Sequence, residues 1–312
     1  MDAWHMTGNE QARQAEPTGL QPRPARDAER SLQTLDREKT DPQGKAEAPI
    51  GVFDSGAGGL TILSALRQEL PHEHYIYFGD TDRNPYGLRT DAEITEFSLQ
   101  ISRFLIEKGV KLIVVACNTA TQAALATLRA NFPTTPFIGV VPAVKPATRI
   151  TRKGRIGIAA TNQAAKAQYL RQLIDEFAEG MHAYAVGCPE LVTLVEQGRL
   201  DGAEVEETIR QAMQPLTREG VDVIVLGCTH FPALRPAIER VVGKQVQVID
   251  SSSAIARRTH AVLNTEGLLR PENEETRGCE ALEVWCSGDP VAFSAVATKL
   301  LDYPVKARQK HW

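Results

Sequence analysis

The feature that most constrains the fold is an alternation of two kinds of segment, which begins at Pro49. Short runs rich in β-branched residues predict strands, and the amphipathic stretches between them predict helices. The predicted strands cover residues 50–53, 75–78, 112–116, 137–141, 156–159, 221–226 and 246–249. The predicted helices cover residues 61–70, 91–108, 120–131, 164–178, 204–219 and 233–242. This order predicts βαβ units, and therefore an α/β fold with mainly parallel sheets.

Local signals mark some of the helix ends. Thr90 with Glu93, and Thr119 with Gln122, have the spacing of a capping box, which predicts a helix start at each place. Gly243 predicts the end of the last of these helices, since glycine commonly follows a helix in a left-handed conformation.

The chain also contains a weak internal echo. Strand 50–53 ends at Asp54 and strand 156–159 ends near Thr161, and in each half a later apolar strand ends at a cysteine. Cys117 follows Asp54 by 63 residues, and Cys228 follows Thr161 by 67. The echo predicts two pseudo-symmetric, doubly wound α/β domains that face each other across a cleft. One echo at low identity is also compatible with coincidence.

Residues 1–48 differ from the rest of the chain. They are rich in charged residues, Gln, Ala and Pro, and their apolar residues have no regular period. Such a segment buries too little apolar surface to offset its conformational entropy, so we predict a disordered extension. The alternative is that it docks on the body of the protein or on a partner.

The first cysteine of the echo stands at the end of an apolar strand. Cys117 is followed by Asn118 and Thr119, so polar residues fall at the carboxyl end of the strand, where open α/β sheets bind ligands. The start of the next helix turns its positive end toward the same place, which predicts a thiol pKa below about 8.5. The alternative is that Cys117 is a small buried apolar residue.

The second cysteine repeats this arrangement. Cys228 follows an apolar strand and Gly227, which permits close approach of the backbone. His230 lies two residues further on, where it can hold the thiol as thiolate or return its proton. A zinc site is the alternative, but it lacks two more ligands at a suitable spacing.

Two loops complete the candidate site. Residues 54–59 read Asp-Ser-Gly-Ala-Gly-Gly, and their glycines let backbone N–H groups approach an anion. The loop matches neither the Walker nor the dinucleotide-binding pattern, so Asp54 is predicted to handle a proton or bind an amine. A tight turn with a capping aspartate is the alternative. The second loop, 79–87, is dense in hydrogen-bonding groups and can close over a small polar ligand, or it is an ordinary connecting loop.

Two thiols at equivalent strand ends suit one kind of reaction. Racemisation needs a base on one face of a carbon and an acid on the other, and two like groups make the reaction symmetric and reversible. Because an α-proton is weakly acidic, the site must also stabilise a carbanion and exclude water. The sequence therefore predicts an amino-acid racemase that uses Cys117 and Cys228 without a cofactor or metal.

Composition argues against several other classes of protein. A net charge of −4 lacks the excess of positive charge that is typical of proteins that bind nucleic acid. No apolar run reaches the roughly 20 residues of a membrane helix. The five cysteines include no Cys-x-x-Cys pair, and the first thirty residues have no apolar core of a signal peptide. We therefore expect a cytoplasmic protein with free thiols, of which Cys188, Cys279 and Cys286 are structural.

Several blocks of this sequence resemble the bacterial glutamate racemase family. They read FDSGAGGL at 53–60, DTDRNPYG at 80–87, ACNTAT at 116–121, GVVPAVKPA at 139–147, LGCTHFP at 226–232 and IDSSSAIARR at 249–258. They occur in the family's order over about two thirds of the chain. The resemblance implies interconversion of L- and D-glutamate without pyridoxal phosphate or metal, which supplies D-glutamate for peptidoglycan and so for cell shape.

The resemblance also implies roles for individual residues. Cys117 and Cys228 are the paired acid and base, assisted by Asp54 and by His230. Glu196, in the block ELVTLVEQG at 190–198, supports this histidine, or it is an exposed helical glutamate. The implied substrate contacts are Asp54, Ser55, Pro85, Tyr86, Gly87, Asn118, Thr119, Thr161, Thr229 and His230.

Organisation and partners follow from the same resemblance. It implies a first domain formed by 49–145 with about 252–312, a second formed by 146–251, and a homodimer. The VVPAVKPA form is similar to the Gram-negative branch, in which a cell-wall precursor can act as activator.

The chain departs from the family at two positions, and two rival functions stay open. Ala164 lacks a hydroxyl that the family places near the substrate, which predicts a binding loss on the order of 1 kcal/mol. Asp82 adds a negative charge beside its loop. The rivals are a racemase for aspartate or a hydantoin, and a binding protein that modulates gyrase on the same scaffold. The intact pair of cysteines weighs against the second.

Overall fold

The computed structural model describes residues 42–271 and 282–312. Its helices are α1 Pro42–Glu47, α2 Leu60–Glu69, α3 Asp91–Glu107, α4 Asn118–Asn131, α5 Val144–Ile150, α6 Asn162–Lys166, α7 Gln168–Phe177, α8 Pro189–Glu196, α9 Ala203–Arg218, α10 Arg235–Val242, α11 Ser252–Thr265 and α12 Pro290–Leu301. Its strands are β1 Ile50–Asp54, β2 Tyr75–Gly79, β3 Leu112–Val115, β4 Phe137–Gly139, β5 Arg155–Ala160, β6 His182–Gly187, β7 Val223–Leu226, β8 Gln247–Ile249, β9 Leu282–Cys286 and β10 Ala307–Gln309. Short 3₁₀ helices occupy Tyr86–Leu88 and Phe231–Leu234.

The strands form two parallel sheets, as predicted. The first has the order β10-β9-β2-β1-β3-β4 and the second the order β6-β5-β7-β8, and every paired neighbour is parallel. The four strands β2-β1-β3-β4 therefore repeat as β6-β5-β7-β8, which is the structural form of the echo in the sequence. The last strands, β9 and β10, extend the first sheet beyond β2.

Each sheet is covered by helices on both faces. The central strands β1, β3 and β7 are buried along their whole length, which explains why they read as continuous apolar runs. Alternate side chains enter different cores: Val52 and Phe53 belong to separate clusters on the two faces of the first sheet, and Ile224 and Val225 do so in the second. This is the doubly wound arrangement that was expected.

The cysteine-bearing strand lies beside the first strand of each half. In the first sheet β3 pairs with β1, so Cys117 emerges next to the end of β1 at Asp54. In the second sheet β7 pairs with β5, so Cys228 emerges next to Thr161. Since all these strands are parallel, the polar residues that follow them collect at one edge of each sheet.

Some predictions about element ends differ from the structure. The capping box at Thr90 is confirmed, and so is the helix end at Gly243. The box at Thr119 is wrong, because α4 begins at Asn118 and its N-cap is Cys117. The predicted helix 164–178 breaks into α6 and α7 at Ala167, whose backbone is extended.

Other elements escape the pattern altogether. Besides α1, the elements that were not predicted from periodicity are β6, β9, β10, α5, α8, α11 and α12. Strand β6, for example, reads HAYAVG; only its alternate residues Tyr184 and Val186 pack on the core, and no residue is fully buried, so the strand signal is weak.

The predicted extension lies mostly outside the described residues. The prediction of disorder does not hold for its described end, Pro42–Glu47, which forms α1. Ala46 in this helix is buried, and its carbonyl accepts a hydrogen bond of 2.6 Å from the Lys111 ammonium. Cys279 also lies outside the described residues.

Candidate active site

Cys117 caps helix α4 with its thiol. Its Sγ accepts the Ala120 N–H at 3.5 Å and donates to Ser55 Oγ at 3.9 Å. Burial raises the pKa of this thiol well above its usual range, and the nearby charge of Asp54 raises it further. The expected lowering by the helix start is therefore wrong in net effect, because the bond from the Ala120 N–H does not offset desolvation.

Asp54 lies beneath Cys117 and is fully buried. Its Oδ2 accepts the Gly59 N–H at 2.8 Å, while its Oδ1 has no hydrogen-bond partner among the described residues. Burial raises the pKa of this carboxyl, which outweighs the lowering effect of His230 and of the Gly59 N–H. Asp54 is thus suited to hold a proton next to the Cys117 thiol.

Cys228 has a different neighbour, the imidazole of His230. The distance from Sγ to Nδ1 is 3.6 Å, and Nε2 lies 2.5 Å from Glu196 Oε1. Burial by itself lowers the pKa of His230, but the contacts with Cys228 and Glu196 raise it well above its usual value. A histidine in this position favours its protonated form and places a positive charge beside the thiol.

Glu196 is the ionised end of this chain of contacts. Burial raises the pKa of its carboxyl, but the hydrogen bond and charge of His230, with the Ala57 N–H, bring it below its usual value. The Ala57 N–H donates to Oε1 at 2.8 Å across 139 residues of sequence. The carboxylate at the end of α8 therefore links the second sheet to the loop after β1.

The glycine loop after β1 binds an anion, but that anion belongs to the protein. A Cβ built on Gly56 would lie 2.0 Å from Glu196 Oε1, and one built on Gly58 would lie 2.4 Å from His230 Nδ1. Glycine is needed at both positions because the histidine–glutamate pair packs directly against the backbone. The sequence signal for an anion site is thus explained by Glu196.

The loop between β2 and α3 is organised around Asp80. This buried carboxylate lies 2.8 Å from Arg83 Nε, and its Oδ2 accepts the Tyr86 hydroxyl at 2.5 Å. The Arg83 guanidinium also stacks over the rings of Phe97 and Trp312. Tyr86 is therefore held in place by the hydrogen bond from its hydroxyl to Asp80.

The two thiols meet at one small cavity of about 20 Å³. Ser55, Asn118 and Thr119 line it from the first sheet, and Thr161 and Thr229 from the second. Thr119 Oγ1 and Thr161 Oγ1 approach to 3.2 Å across it. The complete lining is Ser55, Asn84, Pro85, Tyr86, Gly87, Cys117, Asn118, Thr119, Thr161, Val192, Cys228, Thr229 and His230.

The cavity brings together most residues named from the sequence. Asp54 and Glu196 do not line it, because they lie behind Cys117 and His230 respectively. The lining also contains Asn84 and Val192, which sequence reasoning missed. Both lie inside the blocks at 80–87 and 190–198, so position in those blocks is the signal that points to them. Ala164 does not line the cavity.

Two other kinds of site are missing from the described part of the chain. Within residues 42–271 and 282–312, no group of three or more His, Cys, Asp or Glu side chains is placed to hold a metal ion. Over the same residues, no helix has the length and apolar character to cross a membrane.

The chain is similar to a family of known racemases. The family model Asp/Glu/Hydantoin racemase matches residues 60–259. A glutamate racemase of Roseiflexus sp. is 41% identical over 81% of this chain and 92% of the relative. A glutamate racemase of Ectopseudomonas mendocina is 39% identical over 82% of this chain and 96% of the relative.

Solved structures show the same similarity. A glutamate racemase isoform of Bacillus anthracis has a TM-score of 0.75 and 32% identity, over 84% of this chain and 97% of that protein. The glutamate racemase of Escherichia coli, in complex with L-glutamate and the activator UDP-MurNAc-ala, has a TM-score of 0.73 and 34% identity, over 85% of this chain and 98% of that protein.

Proposed function

This chain belongs to the Asp/Glu/hydantoin racemase family, and from that premise we propose how its site interconverts the enantiomers of glutamate. The relatives at about 40% identity are glutamate racemases, so the enzyme is an amino-acid isomerase whose substrate is glutamate. One observation carries the mechanism: two buried thiols, each at a strand end of a different sheet, share one cavity. Cys117 and Cys228 are the acid and base.

The surroundings of the thiols support a direction for the first proton transfer. His230, protonated and held by Glu196, stabilises a thiolate at Cys228, whereas Cys117 lies beside Asp54 and stays a thiol. The Cys228 thiolate removes the α-proton from one face and becomes a thiol. Cys117 gives its proton to the opposite face and becomes a thiolate. The reverse reaction exchanges these roles.

The cavity supplies the remaining requirements of the reaction. Its polar wall consists of hydroxyl, amide and backbone groups, which bind the carboxylates of glutamate through hydrogen bonds. These groups are buried and preorganised, so they stabilise the carbanion more strongly than water would. His230 adds the positive charge. Both thiols and most of the polar wall are buried, which limits the access of water to the reacting carbon.

Further parts of the proposal rest on the family resemblance. We propose that the product D-glutamate supplies peptidoglycan synthesis in the cytoplasm, and that the enzyme is a homodimer. A cell-wall precursor is the proposed activator, with support from the E. coli structure and its bound UDP-MurNAc-ala. We also propose the two domains 49–145 with 252–312, and 146–251; the pairing of β9 with β2 supports this division.

Solvent-deuterium exchange tests the mechanism. The wild type, without added cofactor, is expected to incorporate deuterium at Cα of both L- and D-glutamate. Cys117→Ser and Cys228→Ser are each expected to lower the racemisation rate by about 10² to 10⁴. Full racemase activity in either variant would exclude the two-thiol mechanism. Faster turnover of aspartate than of glutamate would show that aspartate is the preferred substrate.

A further inference from the structure

Asn84 lies on the wall of the cavity that contains both thiols. It lies in the block 80–87, directly before the Pro-Tyr-Gly segment of the loop between β2 and α3, but the sequence analysis assigned it no role. The proposed mechanism also leaves it without a role, although its amide can both donate and accept hydrogen bonds.

The orientation of its amide follows from its neighbour Glu196. Both side chains pack against Gly56: a Cβ built there would lie 2.0 Å from Glu196 Oε1 and 2.8 Å from Asn84 Nδ2. The Asn84 side chain also helps to lower the pKa of the Glu196 carboxyl. Because a carboxylate only accepts hydrogen bonds, the Asn84 nitrogen must face Glu196.

This orientation leaves the other end of the amide for the cavity. Among the described residues that line the cavity, two buried side-chain atoms have no hydrogen-bond partner, Asn84 Oδ1 and Asn118 Nδ2. One is an acceptor and the other a donor. An α-amino acid carries the matching pair of groups, an ammonium that donates and a carboxylate that accepts. Buried polar atoms of this kind are costly unless a ligand satisfies them.

The acceptors available to the ammonium on the described wall of the cavity are hydroxyl, amide and backbone oxygens. None of the described residues that line the cavity is an aspartate or a glutamate, and the carboxylate of Asp54 lies behind Cys117. A buried ammonium must form hydrogen bonds to acceptors within reach, since leaving it unpaired costs several kcal/mol. Neutral oxygens of the wall must therefore supply those bonds, and the free oxygen of Asn84 is the one that its neighbour orients.

We infer that Asn84 is a specificity-determining residue, whose Oδ1 accepts a hydrogen bond from the α-ammonium of the substrate while Glu196 fixes its amide. This inference rests on the proposed function. It makes Glu196 serve two parts of the site, the imidazole of His230 and the amide of Asn84, and it distinguishes amino acids from dicarboxylates that lack the amine.

Binding of glutamate and of glutarate tests the inference. Glutarate has both carboxylates but no ammonium. In Asn84→Leu, which keeps the size of the side chain, KM for D- and L-glutamate is expected to rise about tenfold to a hundredfold, the effect of losing a hydrogen bond to a charged group. The inhibition constant of glutarate is expected to stay within about twofold. Asn84→Ser keeps an oxygen acceptor, so its KM for glutamate should rise less than that of Asn84→Leu. The serine variant also tests the inference if the leucine variant does not fold.

Controls separate this role from others. Thr217→Val changes an exposed residue of α9 that does not line the cavity, and it should leave the binding of both ligands unaffected. Equal weakening of glutamate and glutarate, or a fall in kcat with unchanged KM, would overturn the inference and assign Asn84 to cavity shape or to Glu196 alone. If wild type does not racemise glutamate, the proposed function itself fails.

Discussion

The two thiol sites share their backbone setting and differ in their chemistry. Each cysteine follows a buried parallel strand that pairs with the first strand of its half. Cys117 is accompanied by Asp54, a buried carboxyl whose pKa is raised. Cys228 is accompanied by His230, whose imidazole is bonded to an ionised Glu196. A duplicated fold therefore holds an unlike pair of side-chain partners.

This difference gives the resting site a direction. A positive imidazole stabilises a thiolate, whereas a nearby carboxylate and burial disfavour one. A thiolate is thus disfavoured at Cys117, whereas Cys228 lies beside a positive imidazole. The chemistry of racemisation is symmetric, but the surroundings of the two thiols are not. In the proposed mechanism, turnover in one direction starts with a thiolate at Cys228, and turnover in the opposite direction starts with a thiolate at Cys117.

Among changes to the groups that surround the two thiols, the largest effect is expected from removing the charge behind His230. Glu196→Gln keeps the shape of the side chain but removes the carboxylate that raises the pKa of His230. We expect kcat to fall on the order of 100-fold, because the histidine no longer holds its proton. Iodoacetamide labelling read by mass spectrometry should show Cys228 reacting before Cys117 in the wild type. Loss of that order in the variant is expected, and an unchanged order would contradict the asymmetry.

A steric change on the first half should reach the second. In Gly58→Ala the new methyl group overlaps the imidazole of His230, which must move. We expect kcat to fall roughly tenfold to 100-fold, with an overpacking cost of about 1–3 kcal/mol in stability. Gly51→Ala is the matched control, since its methyl group crowds Val110 and Leu105 in the core and not His230. Equal loss of kcat in both variants would point to general destabilisation.

The contributions of Asp54 and Glu196 to the stability of the protein should change with pH in opposite directions. Asp54 binds its proton more tightly when folded, so its contribution is lost as pH rises from the unfolded value near 3.8 through the raised folded pKa. The free energy of unfolding of Asp54→Asn should therefore increase relative to that of the wild type as pH rises. Glu196 stabilises above its unfolded value near 4.5, and this is lost as pH falls through its lower folded pKa. Glu196→Gln should therefore be less stable than the wild type at neutral pH.

Denaturation in urea at pH 4, 6 and 8 measures both trends. The Asp54→Asn advantage should grow from the first pH to the last, while the Glu196→Gln deficit should shrink toward pH 4. Parallel curves for the two variants would mean that the carboxyls have similar surroundings, and the comparison of the two halves would then fail.

The smallest effect is expected at Ala164. The missing hydroxyl predicted a weaker substrate interaction, but this side chain is buried in α6 and does not line the cavity. We therefore expect Ala164→Thr to change KM for glutamate by less than about threefold, below the effect of one hydrogen bond. Steady-state kinetics with both enantiomers measure this, and a clear fall in KM would show that the second half lacks a substrate contact.

The sequence by itself determined the sheet architecture and the positions of the thiols. Central strands such as β1 and β7 are buried on both faces, so they read as apolar runs, and their polar successors must emerge at the ligand-binding edge. Cys117, Cys228 and His230 were found in this way because strand, turn and helix signals are local. Edge elements such as β6 were missed because partial exposure weakens the same signals.

Only the tertiary structure decided the protonation and the partners of these groups. The sequence placed a helix start beside Cys117 and predicted a lowered pKa, but burial and Asp54 reverse the direction. It also predicted an anion at the glycine loop, and the anion is Glu196, which is 139 residues away from Ala57. Desolvation and charge pairing depend on which distant residues pack together, and no local period of the chain records that packing.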